Sequence, residues 1–257
     1  MALTRDKKAQ LSISQNKLAG GNLSNAYYKH AVIYGDYIDV RTYKDVKYTF
    51  NGFDTSKNRR KKGERSTSSL ARAKVTLYRL IVGNIGKHGK YKPLFVTYTF
   101  KDNVENLDTA LDYLRKYLLA LRYQQGKKPL YVCVPQIQWE RFEKTGFKVW
   151  HFHICFFNLP PLNFKQHDKL WPWGYVNSQH VRGIRSIGAY LAGYFTKEDW
   201  RHIPLNKKFY YCSRSLVRPT DLYQHSHIDK YVNSANVKIL SKFEGETYTQ
   251  IKYKLNG

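Results

Sequence analysis

The run Trp150-His151-Phe152-His153-Ile154 is the strongest local signal in the sequence. The stretch 147–157 around it reads as a β-strand, in which successive side chains alternate between two faces. His151 and His153 therefore point one way and Phe152 the other. Two imidazoles side by side on one strand form a natural two-point clamp for a metal ion.

A third ligand is sought on the neighbouring strand. Residues 130–142 and 147–157 read as two strands joined at Glu143-Lys144-Thr145-Gly146, and Pro160-Pro161 ends the second. Pairing Phe142 with Phe147 puts Gln138 opposite His151 and Glu140 opposite Val149. Directly opposed residues share a face, so both side chains join the histidines. Glu140 is the first choice and Gln138 the second. Two nitrogens, one oxygen and open positions suit Mg²⁺ or Mn²⁺ working on a phosphate. A His-x-His pair by itself is more often structural. The candidate oxygen donors and the charge of the chain weigh toward function.

That charge is +25, from 44 Lys and Arg against 19 Asp and Glu in 257 residues. Such an excess suits a polyanionic partner, and nucleic acid is the usual one. The 22 tyrosines and 13 phenylalanines supply surfaces that can stack on unpaired bases, although most of them are expected to fill the core. The basic run Lys57-Asn58-Arg59-Arg60-Lys61-Lys62-Gly63-Glu64-Arg65 reads as an exposed loop. With Arg72 on the helix that follows, Arg59, Arg60, Lys61, Lys62 and Arg65 are the candidate DNA contacts. Three scattered cysteines without CxxC spacing argue against a disulfide scaffold or a zinc ribbon, and suit a reducing cytoplasm. No signal peptide or membrane span is expected.

The remaining pattern predicts an α+β fold, an antiparallel β-sheet with flanking helices. Residues 1–25 read as a loose polar arm. A hairpin is expected over 27–50, broken at Gly35-Asp36. An amphipathic helix is expected at 68–84 and a strand at 94–100. A second helix follows, capped near Asp102-Asn103 and carrying Leu107, Leu111, Leu114, Leu118 and Leu121 on one face. Residues 180–198 read as helical, and strand-like pieces lie near 208–213, 236–243 and 247–254.

The segment 186–197 carries a second chemical signal. Tyr190 and Tyr194 are four apart, on one face of a helix, and Lys197 lies nearly on the same face. A phenol is a poor nucleophile at neutral pH, since its unperturbed pKa is about 10. A neighbouring ammonium favours the phenolate, and a metal makes the target phosphorus more electrophilic. Tyrosine, lysine and a metal thus form a coherent kit for covalent attack on a phosphodiester. Tyrosines at helical spacing are more often core residues, which is the bland alternative.

In this order, the strand Phe95-Val96-Thr97-Tyr98-Thr99-Phe100, a His-hydrophobic-His strand and a Tyr-x-x-Lys helix resemble the HUH endonucleases. The likeness is nearest to the rolling-circle replication initiators of small single-stranded DNA phages and related plasmids. It runs from about residue 59 to 220 and takes in Leu170-Trp171-Pro172-Trp173-Gly174-Tyr175-Val176 and Tyr210-Tyr211-Cys212-Ser213-Arg214-Ser215-Leu216. The resemblance implies an RRM-like antiparallel palm. It implies that His151 and His153 bind the metal, that Glu140 or Gln138 completes the site, and that Tyr194 with Lys197 matches the nucleophile motif. Gly193 stands where a second Tyr-x-x-Lys would need lysine, which favours Tyr194 over Tyr190. Some relatives alternate two tyrosines at this spacing.

The implied activity is that of a site-specific single-stranded DNA endonuclease and ligase acting at an origin in a host bacterial cytoplasm. The implied division is a 1–57 arm and hairpin extension, a 58–220 HUH endonuclease domain, and a 221–257 C-terminal extension packed on that domain. With no Gly-x-x-x-x-Gly-Lys-[Ser/Thr] motif, no ATPase is expected. A host helicase and polymerase are then the expected partners. A relaxase or transposase of the same class, and a non-catalytic nucleic-acid-binding protein, are the alternative readings.

Overall fold

The computed structural model describes residues 23–50, 67–161, 163–180, 193, 201–233 and 237–255. The chain forms two compact units, one of 63–218 and one built from both ends, 1–62 and 219–257. The two flanking segments thus join each other. Within the second unit, C-terminal strands complete a sheet begun by the N-terminal hairpin.

In that end-built unit, β1 (Leu23–Tyr34) and β2 (Tyr37–Phe50) form the hairpin read from the sequence. Gly35 turns it with a φ of 60°, a left-handed conformation that favours glycine. β8 (Thr220–Leu222) pairs with β1, and β10 (Tyr248–Leu255) pairs with β2 and with β9 (Val237–Glu244). The strand order is β8-β1-β2-β10-β9. Helix α5 (His225–Val232) buries Ile228 against Ala31, Ile38 and Val40. Lys29 donates to Asp229 at 2.6 Å, tying the helix to β1.

The central unit is a five-stranded antiparallel sheet, so the α+β reading holds. Its strands are β3 (Leu94–Thr99), β4 (Tyr131–Ile137), β5 (Trp150–Phe156), β6 (Val176–His180) and β7 (Tyr211–Cys212). The histidine strand β5 lies at the centre, between β3 and β4. A strand in that position must offer apolar residues to both faces, and Trp150-His151-Phe152-His153-Ile154-Cys155-Phe156 does so at five of seven positions. Pro135 has no N–H to give a ladder. It lies on β4 beyond the two residues, Val132 and Cys133, that pair with β7, where such a residue is tolerated.

Helices cover both faces. Helix α2 (Leu107–Gln125) packs Leu107, Leu111, Leu114 and Leu121 against Val96, Tyr98, Phe152, Ile154 and Phe156. Its N-cap is Asn106, whose side chain accepts from the backbone N–H of Asp108 and Thr109. The cap expected at Asp102-Asn103 is therefore corrected by one turn. Helix α1 (Thr67–Asn84) packs Leu70, Leu77, Leu80 and Ile81 against Phe95, Val132, Val134 and Cys155 on the opposite face. Each such leucine or isoleucine contributes about 1.5–3 kcal/mol by leaving water.

The hairpin connecting β4 to β5 departs from expectation. β4 ends at Ile137, and Trp139–Thr145 form helix α3, with Gly146 as its left-handed C-cap. The alternation Ile137, Trp139 continues the strand pattern for one step too many. Trp139 and Phe142 then meet at helical spacing, with ring centroids 5.7 Å apart. Helix α4 (Phe164–Leu170) precedes the loop into β6.

Candidate metal centre on the central strand

Alternation along β5 and its partners assigns one face to Phe95, Thr97 and Thr99 of β3, Val132, Val134 and Gln136 of β4, and His151, His153 and Cys155 of β5. Composition along that face is graded. At the α1 end it is apolar and covered, and at the other end it carries the polar set Thr97, Thr99, Gln136, His151 and His153. The half of the face that helix α1 leaves uncovered is therefore the half with chemistry on it.

Gln136 lies directly opposite His151. Its Oε1 is 2.9 Å from His151 Nε2 and 2.9 Å from His153 Nε2. On the far side of His153, Thr97 Oγ1 is 3.0 Å from Nδ1. The two imidazole rings meet edge to face with centroids 4.6 Å apart, and Phe95 stacks on His153 at 5.9 Å. Three donor atoms thus converge, and the ring nearer the core is held from both sides.

The residue opposite His151 differs from both sequence candidates for a third ligand. The pairing of Phe142 with Phe147 is replaced by a register two residues away, in which Gln136 faces His151 and Ile137 faces Trp150. A two-residue shift keeps every side chain on its face, so the face was correct and the position along it was not. Glu140 is exposed in the first turn of α3, off the strand on which it was expected. Gln138 is the N-cap residue of α3, and its backbone N–H donates to Val149 O at 2.9 Å. It remains next to Gln136 in the alternation. Its buried Oε1 has no hydrogen-bond partner among the described residues.

Electrostatics favour a neutral His153. His153 is 4% exposed, and burial, followed by the neighbouring charge of His151, pushes its pKa down to about 2. Its ring is therefore available as a neutral ligand at any ordinary pH. Thr97 supports either tautomer, because a hydroxyl both donates and accepts. With Gln136 Oε1 as acceptor, Nε2 carries the proton and Thr97 donates to Nδ1. With Nε2 engaged as a ligand, Nδ1–H donates to Thr97 instead. That second arrangement is the usual outer-shell support of a ligating histidine.

The donor set fits a small divalent cation. Metal–ligand bonds of about 2.1 Å at right angles leave roughly 3 Å between neighbouring donor atoms, which matches the 2.9 Å separations here. The orphaned Gln138 oxygen is a further donor close by in sequence and alternation. Among the described residues no three His, Cys, Asp or Glu side chains gather as a metal site; the arrangement here brings an amide oxygen to the two imidazoles.

Other expected site residues are placed as follows. Arg72 is exposed on α1. Arg59, Arg60, Lys61, Lys62, Arg65, Tyr190, Tyr194 and Lys197 lie outside the described residues, as does the helix expected over 180–198 apart from His180, which ends β6, and Gly193. Among the described tyrosines, burial pushes the phenols of Tyr98, Tyr117, Tyr131, Tyr210 and Tyr211 up, Tyr131 to about 12. Those five are poorly suited to supply a phenolate.

Residues 93–199 match the family model of the replication-associated protein ORF2. The matched segment holds β3 to β6, Gln136, both histidines and the Tyr190–Lys197 stretch. It is less than half of the chain, and over it the chain is similar to replication-associated proteins. That similarity supports a role in replication and the DNA binding that goes with it. No curated protein and no solved structure matches the chain. Among the described residues no helix is long and apolar enough to cross a membrane.

Proposed function

We propose that the protein is a replication initiator that nicks and rejoins single-stranded origin DNA by transesterification on a tyrosine. The observation that carries this reading is the convergence of Gln136 Oε1 with Nε2 of His151 and His153 at 2.9 Å, at the polar end of one face of the central sheet. The match to replication-associated proteins and the charge of +25 support it.

Gln136, His151 and His153 would hold Mg²⁺ or Mn²⁺, with Gln138 as an additional oxygen donor. When bound, the cation would neutralise charge on the scissile phosphate and make its phosphorus more electrophilic, undiminished by any anionic ligand. Thr97 keeps the His153 ring in the ligating orientation. Tyr194 is assigned the attack and Lys197 the support of its phenolate. The phenolic oxygen forms a bond to phosphorus, and the bond from phosphorus to the 3′ oxygen breaks. The products are a 5′-phosphotyrosine and a 3′-hydroxyl that can prime synthesis. Attack by a 3′-hydroxyl on the phosphotyrosine reverses the step and ligates. Tyr190, four residues away, can take the second of two such turns.

The test is to incubate the protein with single-stranded origin-like DNA and Mn²⁺, and look for a protein–DNA adduct on a denaturing gel. Wild type is compared with Tyr194→Phe, Tyr190→Phe and Gln136→Ala. The expected result is an adduct that is lost with Tyr194→Phe and strongly reduced with Gln136→Ala. Loss with Tyr190→Phe alone would reassign the nucleophile. No adduct from wild type with any strand or divalent metal would overturn the enzyme reading in favour of a binding protein.

A further inference from the structure

The row of residues that crosses the sheet at His151 extends to one more side chain. Gln136 faces His151 and His151 faces Thr99. Thr99 in turn exchanges backbone hydrogen bonds with Tyr175, at 2.9 Å and 3.1 Å, and its hydroxyl donates to Tyr175 O at 3.2 Å. Opposed residues share a face, so Tyr175 belongs to the histidine face. It is two strands from His151, about 10 Å at the usual strand spacing. Its side chain is 75% exposed.

An exposed aromatic residue needs no special explanation when it sits on a mobile surface. Tyr175 sits instead on a fixed one. Trp171 is fully buried against Tyr98, Phe100 and Tyr117, and its Nε1 donates to Thr99 O at 3.0 Å. Trp173 O accepts from Lys101 N at 2.9 Å. Gly174 lies so close to β3 that an added Cβ would stand 2.0 Å from Thr99 O. The segment 171–175 is thus clamped to the end of β3, and the one large side chain it leaves in solvent is on the face and in the row of the candidate metal centre.

We propose that Tyr175 is a positioning residue that stacks on an unpaired base of the strand whose phosphate lies at the His151–His153 pair. This rests on the nicking function proposed above. A phenol ring carried by a clamped backbone and 75% exposed takes a base without moving the chain that bears it. Stacking tolerates any base, so Tyr175 sets the register of the strand rather than reading its sequence. With Tyr175 and the metal centre as two fixed points, the strand is aligned over the chemistry.

The test uses two probes of equal length, an oligothymidylate and an abasic deoxyribose-phosphate oligomer, with binding followed by fluorescence anisotropy in the absence of metal. Tyr175→Ala is expected to weaken oligothymidylate binding about tenfold and to leave abasic binding unchanged, whereas Tyr175→Phe keeps both and Tyr175→Leu behaves as alanine. Mn²⁺ affinity should be the same in all four proteins. Equal losses on both probes, or none on either, would overturn the stacking role. Failure of wild type to prefer the probe with bases would overturn it too. Should Tyr175→Ala fail to fold, the difference between Tyr175→Phe and Tyr175→Leu decides. An adduct from wild type without base-dependent loss in Tyr175→Ala sinks stacking alone. Base-dependent loss without any adduct sinks nicking alone.

Discussion

Gln136 and His151 face each other across the β4–β5 pair, and the amide oxygen of the first lies 2.9 Å from Nε2 of the second. Because the same oxygen is equally close to His153, one side chain closes a three-donor set. Gln136→Ala should therefore lower Mn²⁺ affinity at least about tenfold, given that even outer-shell partners are worth roughly 10–100-fold. Gln136→Glu should bind more tightly than wild type by adding a negative charge. Glu140→Ala should change nothing, since that residue is exposed on α3. Calorimetric titration with Mn²⁺ checks all three, and a larger loss with Glu140→Ala than with Gln136→Ala would return the third ligand to the helix.

Thr97 acts through His153. Its hydroxyl is 3.0 Å from Nδ1, and Thr97→Val removes that contact while keeping the branched shape of a strand residue. The expected outcome is a loss of about 10–100-fold in metal affinity, restored by Thr97→Ser. Equal affinities for wild type and Thr97→Val would mean that packing against Phe95 alone orients the ring.

His153 also links stability to pH. Its folded pKa lies far below the unfolded value of about 6.5, so below that pH the unfolded chain takes up a proton that the folded chain refuses. The stability is fully present above about pH 6.5 and is lost as pH falls, with a slope of up to about 1.4 kcal/mol per pH unit. Tryptophan fluorescence isolates the relevant unit, because Trp139, Trp150, Trp171, Trp173 and Trp200 all fall within residues 63–218. Urea unfolding in EDTA from neutral to mildly acid pH should show a steeper decline for wild type than for His153→Gln. Identical slopes would show that this imidazole is protonated in the fold.

What the sequence disclosed follows from how local each signal is. The alternation that pairs His151 with His153 is a property of one strand, and it survives in the structure without change. The leucines of α1 and α2 obey a period that does not depend on their partners. The third donor depends on where β4 stops and α3 begins, and Ile137-Gln138-Trp139 fits a strand as well as it fits a helix entrance. The register differs by two residues, so Gln136 rather than Gln138 stands opposite His151, and Glu140 lies on the helix beyond. The pairing of residues 220–255 with the N-terminal hairpin spans nearly the whole chain, and no local pattern announces it. The clamp at Gly174 is of the same kind, a close approach visible only once β3 and the loop are both in place.

The basic run at 57–65 has six Lys and Arg among nine residues, a density that suits a polyanionic partner. Replacing Arg59, Arg60, Lys61 and Lys62 with glutamine should weaken duplex binding and flatten its salt dependence. Each lost phosphate contact should remove about 0.9 from the slope of log affinity against log salt. An unchanged slope would take this run out of the interface, whatever happened to affinity.

Gly174 makes the clamp around Tyr175 separable from Tyr175 itself. An alanine there would put its Cβ 2.0 Å from Thr99 O and 2.8 Å from Lys101 N. Both atoms are backbone and belong to the pairing that fixes the loop, so neither can rotate aside as a side chain would. Gly174→Ala should cost about 3 kcal/mol or more, at or above the upper end of what overpacking usually costs, read by urea unfolding on tryptophan fluorescence. Tyr175→Ala removes only an exposed ring and should cost about 0.5 kcal/mol or less. The two variants should nevertheless share one functional defect, a weakened preference for strands that carry bases, because in each the ring no longer stands at its fixed place beside Thr99. If Gly174→Ala folds with wild-type stability, the loop has slack, and a fixed backbone at Tyr175 can no longer be argued from the glycine.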